Sequence, residues 1–305
     1  MKKLLYILVI AALFGCKNEK DSKDENRKLQ VVTTTTMITD LVSNIGGDLI
    51  DVEGLMGAGV DPHLYKASAG DVSKLANADI IFYNGLHLEG KLVEVFEKMG
   101  SAQKSQVALG EFLDKTTLIG SDYFASNYDP HVWFNIDYFK QFTTAVVDEL
   151  SKRDPKNAAT YKSNSAAYID KLTALDNEVR AVIATLAPEK RILVTAHDAF
   201  NYFGKSYGFE VVGLQGLSTA TEAGVQDVQR LSQFIIDHQV KAIFIESSVP
   251  RRTIEALEAA VKAKGHDVSI GGSLYSDALG NAGTVEGTYI GMFRYNVNTI
   301  VTALQ

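Results

Sequence analysis

The sequence predicts an α/β protein of two parallel-sheet α/β lobes joined by one long rigid helix. Three observations predict it. Short β-branched or apolar runs alternate with helical spacings from Leu29 to Met99, and the same alternation resumes after Pro188. Between them, residues 156–187 hold neither Gly nor Pro. A βαβα order implies a mostly parallel sheet covered on both faces. The chain has 305 residues, 46% of them hydrophobic, which suffices for one large or two medium domains with proper cores.

The elements follow in order. Residues 30–35 are β-branched and read as a strand, and 38–45 have helical spacing that stops at Gly46-Gly47. A second strand covers 49–55. Ser68 is placed to cap a helix running to about Ala76, because its oxygen can accept an orphan backbone N–H. Residues 79–83 read as a buried strand and 88–99 as a helix. Asp154-Pro155 then opens a different kind of segment, with Pro suited to a first helical turn. Tyr161, Tyr168, Leu172, Leu175, Val179 and Ile183 recur at three- and four-residue spacings. One helix of roughly 32 residues would be about 48 Å long. It reads as a strut between lobes 29–153 and 188–305; the alternative is a long helix packed on one domain. In the second lobe, strands are expected at 191–196, 211–214, 241–246 and 268–270. Helices are expected at 198–207, 225–238, 253–264 and 285–304.

The N-terminus predicts export. Lys2-Lys3 precede an apolar run over 4–14, too short for the roughly 20 residues that span a bilayer but suited to a secretory signal. Residues 1–15 therefore read as a signal peptide. The single cysteine, Cys16, closes Leu13-Phe14-Gly15-Cys16, which resembles a bacterial lipobox; the alternative is an ordinary signal that contains a Cys. Nine of the twelve residues 17–28 are charged and none is apolar, so 16–28 reads as a disordered tether. The formal net charge of −7 argues against nucleic acid, whose binding leans on Lys and Arg.

Two of six histidines lie in one repeated motif, Asp61-Pro62-His63 and Asp129-Pro130-His131. Pro fixes its own φ and pushes the preceding residue into an extended shape. Both histidines therefore leave stiff loops in a set direction, as metal ligands must if they are to converge within about 2.0–2.2 Å of one ion. His197 ends the strand at 191–196, where ligands gather in parallel sheets; the alternative is a satisfied core histidine. Asp198 is placed to cap the next helix. Glu246 ends another strand on the same side and is placed to orient a ligand by a hydrogen bond. Asp277, from spacing alone, reads equally as a plain loop residue. Trp133 and Phe134 read as walls against water, and His238 and His266 as solvated. Gly57-Ala58-Gly59 lacks the rest of a nucleotide loop.

Seven stretches, in order, resemble one family. They are Asp61-Pro62-His63-Leu64-Tyr65, Asn84-Gly85-Leu86-His87-Leu88-Glu89 and Asp129-Pro130-His131-Val132-Trp133-Phe134. Thr195-Ala196-His197-Asp198-Ala199-Phe200, Gly213-Leu214-Gln215-Gly216, Phe244-Ile245-Glu246-Ser247-Ser248 and residues 274–280 complete the set. The chain resembles the zinc- or manganese-type substrate-binding lipoproteins of ABC importers, the TroA-like group. That resemblance implies a metal site between the lobes, with His63, His131, His197 and Asp277 as ligands of one Zn²⁺ or Mn²⁺ per chain. It gives His87 no ligand role, which leaves His87 to packing or to support of the ligands.

The resemblance further implies an extracytoplasmic monomer, lipid-anchored to a bacterial membrane, that delivers its ion to a permease and its ATPase. Manganese-type members carry Glu where this chain has His197, and many zinc members carry a His-rich loop where residues 115–128 hold no His. Three imidazoles and one carboxylate put Zn²⁺ slightly ahead. The competing functions are a metal-dependent hydrolase and a surface adhesin. No His-Glu-x-x-His pattern or nucleophile elbow supports the first.

Overall fold

The computed structural model describes residues 27–99, 105–121 and 124–305. The expected signal peptide, Cys16 and the tether as far as residue 26 lie outside the described residues. Arg27, at the end of the expected tether, donates to Asp79 at 2.7 Å.

Strand β1 (Leu29–Thr33) lies between β2 (Ile50–Gly54) and β3 (Ile80–Tyr83), and β4 (Ser105–Ala108) pairs with β3. All three pairings are parallel. The apolar runs that defined β1 and β3 are buried because helices cover the sheet. Those helices are α1 (Thr36–Gly46), α2 (Ala69–Asn77), α3 (Val93–Met99) and α4 (Ile136–Arg153). Ser68 caps α2 as expected, and Asp71 returns the bond to complete a capping box.

The helix expected at 88–99 starts only at Val93. Residues 85–87 stand at positive φ (75°, 50° and 61°), a left-handed run that a helix cannot include. The buried Glu89 carboxylate holds this turn, accepting from Thr34 Oγ1, Asn84 N and Gly85 N at 2.6, 2.8 and 3.2 Å. His87 is exposed, and the packing expected of it is a surface contact, its ring 6.1 Å from that of Phe124.

Helix α5 (Ala158–Ile183) has 26 residues, about 39 Å of rise. It is shorter than expected because Pro155–Asn157 form a separate 3₁₀ turn and the helix stops at Ile183, four residues before Ala187. Its buried stripe is Tyr161, Ser165, Tyr168, Leu172, Leu175, Val179 and Ile183. The first half bonds to α1, through Asn164 Nδ2 to Ile45 O (2.9 Å) and Tyr168 OH to Asp40 (3.3 Å). The second half meets the other end of the molecule, where Asp176 accepts from Tyr207 OH (2.9 Å) and Glu178 pairs with Arg294. It is thus not packed on one domain alone.

Beyond α5, β5 (Ile192–His197) pairs in parallel with β6 (Glu210–Gln215), and β7 (Ala242–Glu246) with β8 (Ser269–Leu274). Strand β5 runs beside β7. Helices α6 (Asn201–Tyr207), α7 (Val225–Asp237), α8 (Arg252–Ala263) and α9 (Tyr289–Leu304) cover them. Asp198 does not cap α6. Its Oδ1 accepts from Gly213 N at 2.7 Å, and Phe200 occupies the cap position.

One apolar core runs through both lobes. Phe134 packs on Phe200 with ring centroids 4.4 Å apart, and Phe139 stacks on Tyr289 at 3.8 Å. Asp40 ties three helices together, since α1 carries it, Tyr168 of α5 donates to it, and the backbone of Tyr289 in α9 donates at 3.0 Å. A close-packed core shared this way resists large relative motion of the lobes.

Candidate metal centre

Each ligand candidate is delivered by a local device. In the first Asp-Pro-His, Asp61 Oδ1 accepts the backbone N–H of His63 at 2.8 Å. In the second, Asp129 Oδ1 does the same for His131 at 2.9 Å, and also accepts from the His131 ring at Nδ1, 2.7 Å away. A proton held at Nδ1 leaves the Nε2 lone pair for a ligand. Asn84 Nδ2 donates to Pro130 O at 3.0 Å and steadies the same loop.

His197 is the last residue of β5, and the neighbouring β7 ends in Glu246. The two Glu246 oxygens accept from His197 N (2.8 Å) and His197 Nδ1 (2.6 Å), so one carboxylate fixes both backbone and ring. Asp277 lies in the loop after β8. Ser248 Oγ approaches its Oδ2 at 3.4 Å and Ser276 Oγ at 3.0 Å. Trp133 of the first lobe donates through Nε1 to Ser276 O at 3.1 Å.

These devices bring His63, His131, His197 and Asp277 together, with donor atoms all within 4.8 Å of one another. All four are buried. His63 Nε2 lies 3.3 Å from His131 Nε2, His131 Nε2 lies 3.6 Å from Asp277 Oδ1, and His197 Nε2 lies 3.3 Å from Asp277 Oδ2. Ligands about 2.1 Å from a tetrahedral ion stand about 3.4 Å from each other. The spacing therefore suits a small divalent ion. The two Asp277 oxygens face different imidazoles, so the carboxylate straddles the centre. His197 Nε2 and Asp277 Oδ1 are buried without a hydrogen-bond partner, although each has a polar neighbour across the centre, Asp277 Oδ2 at 3.3 Å and His131 Nε2 at 3.6 Å. Buried polar atoms are rarely left this way.

Electrostatics point the same way. Burial pushes the His63 imidazole down to about 3, with Asp277 opposing and His131 and His197 reinforcing. A neutral imidazole keeps its lone pair at neutral pH. Burial would raise Asp277, yet the neighbouring imidazoles hold it well below the usual carboxylate range. Burial would lower His197, but Asp277 and Glu246 carry it well above its ordinary value. A site with this much carboxylate charge favours a positive occupant.

Trp133 flanks the centre, its ring 5.3 Å from that of His131. Phe134 belongs to the inter-lobe core instead of the site wall, because it packs on Phe200 and Phe293. His238 is exposed and stacks on Phe234 at 4.1 Å. His266 is half-buried with Nε2 2.9 Å from Val240 O, which corrects its expected solvation. Sequence reasoning missed Asp129, Asn201 and Ser248. The first two have a visible signal, an Asp inside each repeated motif and an Asn just after the His197 stretch. Ser248 has none beyond proximity to Glu246.

Comparison with known proteins agrees with this geometry. Residues 31–303 match the family model for zinc-uptake complex component A, periplasmic (ZnuA). The chain is 48% identical to the manganese-binding lipoprotein MntA of Bacillus subtilis over 294 residues, covering 96% of this chain and 95% of that one. It is also 48% identical to the zinc-binding protein TroA of Treponema pallidum over 300 residues, 98% of this chain and 96% of that one. The solved structure of the periplasmic zinc-binding protein TroA from Treponema pallidum superposes with a TM-score of 0.89 at 49% identity, covering 91% of this chain and 99% of that one.

Proposed function

We propose, from the premise that the chain belongs to the family of zinc-uptake complex component A, periplasmic, that it is an extracytoplasmic substrate-binding protein of an ABC importer. It captures one divalent transition-metal ion and hands it to a membrane permease driven by its ATPase. The observation that carries the reading is the convergence of His63 and His131 from one lobe with His197 and Asp277 from the other. An ion held by all four bridges the lobes 29–153 and 188–305, so coordination energy favours their closed arrangement. The segment 154–187 braces both lobes and limits any opening to a small movement.

The two 48%-identical relatives carry the names of different metals, so the preference is argued from the donors. Three imidazoles and a carboxylate suit Zn²⁺, and the intrinsic affinity order places Zn²⁺ above Mn²⁺. Zn²⁺ is therefore the slightly favoured cargo. Lipidation of Cys16, after removal of residues 1–15, would anchor the monomeric receptor to a bacterial membrane. The relative MntA is named a lipoprotein, which supports that anchor. The function includes no turnover. Four donors close a tetrahedral sphere, and Glu246 and Asp129 are engaged with ligand rings instead of free to act as a base.

Calorimetric titration of Zn²⁺ into metal-free protein tests the proposal. One site per chain with submicromolar affinity is expected, lost in the His63→Ala plus His197→Ala variant. Unchanged affinity in that variant overturns the proposal.

A further inference from the structure

Each Asp-Pro-His motif uses its Asp twice. One oxygen accepts the His backbone N–H, and the other reaches the second lobe. At Asp129 the far oxygen accepts from Asn201 Nδ2 at 3.0 Å. At Asp61 it accepts from Thr219 Oγ1 at 2.5 Å, a bond between residues 158 positions apart.

The two bonds differ in consequence. His131 and His197 each have a carboxylate on Nδ1, so their rings are held directly. Among the described residues, His63 has no such partner, and its direction is set by its backbone through Asp61. Whatever fixes Asp61 thereby fixes the one imidazole of the three whose ring no carboxylate holds.

Thr219 sits in the irregular segment between β6 and α7. Ala220, Thr221 and Glu222 beside it are exposed, yet Thr219 is only 7% exposed. The same segment walls a cavity of about 390 Å³ that Phe124, Asp198 and Gln215 also line. Phe124 sets its edge against the His63 ring at 6.5 Å, and Asp198 and Gln215 adjoin the His197 end of β5. Segment 216–224 thus walls a cavity whose other lining adjoins His63 and His197, and it is held to the first lobe at Asp61.

We infer that Thr219 is a positioning residue for metal retention: its hydroxyl, donated to Asp61, latches segment 216–224 to the first lobe and holds His63 in its ligating direction. The inference rests on the metal-receptor reading. It assigns release of the ion to the His63 side of the centre, where one neutral donor must be withdrawn to free the loop.

The test uses Zn²⁺-loaded mature protein mixed with excess chromogenic chelator in a stopped-flow instrument. Thr219→Val removes the donor at nearly constant shape and Thr219→Ala removes it with less bulk, while Thr219→Ser keeps it. Release about tenfold faster is expected in the Val and Ala variants, the low end for loss of a partner that orients a ligand. The Ser variant is expected within about threefold of wild type, the loss being confined to variants without the donor. The melting temperature should fall more in the loaded than in the metal-free Val variant. Release at the wild-type rate in the Val or Ala variant overturns the inference, as does a Ser variant as fast as Val. An equal drop in melting temperature with and without metal also overturns it, because that marks a merely structural bond. Wild-type protein that takes up no Zn²⁺ would instead overturn the receptor reading.

Discussion

Replacing Glu246 with Gln should weaken metal binding although Glu246 touches no metal. Both carboxylate oxygens of Glu246 accept hydrogen bonds, one from His197 N and one from His197 Nδ1. Gln offers one acceptor and one donor, so an N–H must face an N–H at one end. If the amide group turns its donor to Nδ1, the imidazole proton moves to Nε2 and the lone pair aimed at the metal is lost. If it turns the donor to the backbone, the buried His197 N–H loses its acceptor. A hydrogen bond to a charged group contributes about 1.5–3 kcal/mol net. Loss of a partner that orients a metal-bound His typically lowers affinity about 10–100-fold, or about 1.4–2.7 kcal/mol. The two magnitudes agree. Competition titration of Zn²⁺ against a chelator of known affinity measures the effect. A Glu246→Gln affinity within threefold of wild type would refute the reasoning.

Two further outcomes follow from the packing. Burial raises the carboxyl of Asp40, despite donors from Tyr289, Tyr168 and Asn44. The folded protein then keeps that proton to higher pH than the unfolded chain, so stability declines as pH rises from about 4 through the raised pKa, at up to about 1.4 kcal/mol per pH unit. Asp40→Asn should remove this part of the slope in urea unfolding between pH 4 and 7, and an unchanged slope counts against it. Leu172 is fully buried on α5 and touches no ligand. Leu172→Ala should cost about 2–5 kcal/mol in urea unfolding while leaving the Zn²⁺ affinity unchanged, whereas a parallel loss of affinity would mean that the helix sets the site directly.

Much of the fold was legible because its signals are local. Strands β1, β2 and β3 are β-branched or apolar runs, whereas the short β4 was not read, and Ser68 caps α2 through an oxygen visible in the sequence. Helix α4 was not read, although Asn135 caps it and Ile136, Phe139, Phe142, Val146 and Leu150 mark its buried face. Its apolar face is broad enough to blur the period, because it is buried against α1 of its own lobe, against α5 and, through Phe139, against Tyr289 of the other lobe. The left-handed turn at 85–87 had no local mark beyond Gly85, since Glu89 reaches back to build it from three residues.

The site divides the same way. His63 and His131 were legible because each Pro restricts its own loop, a constraint that needs no tertiary contact. His197 followed from its strand end. Asp277 had only the resemblance, because Ser248 and Trp133, which place it and its neighbour Ser276, come from distant parts of the chain. The second use of Asp61 and Asp129, as anchors to the opposite lobe, depends on Thr219 and Asn201 and becomes visible only when the lobes meet.

The most direct test is a crystal structure of Zn²⁺-loaded protein with anomalous data at the zinc edge. One peak is expected, about 2.0–2.2 Å from Nε2 of His63, His131 and His197 and from an Asp277 oxygen. A peak elsewhere in the chain, or one at this centre with Asp277 or an imidazole turned away, would contradict the account.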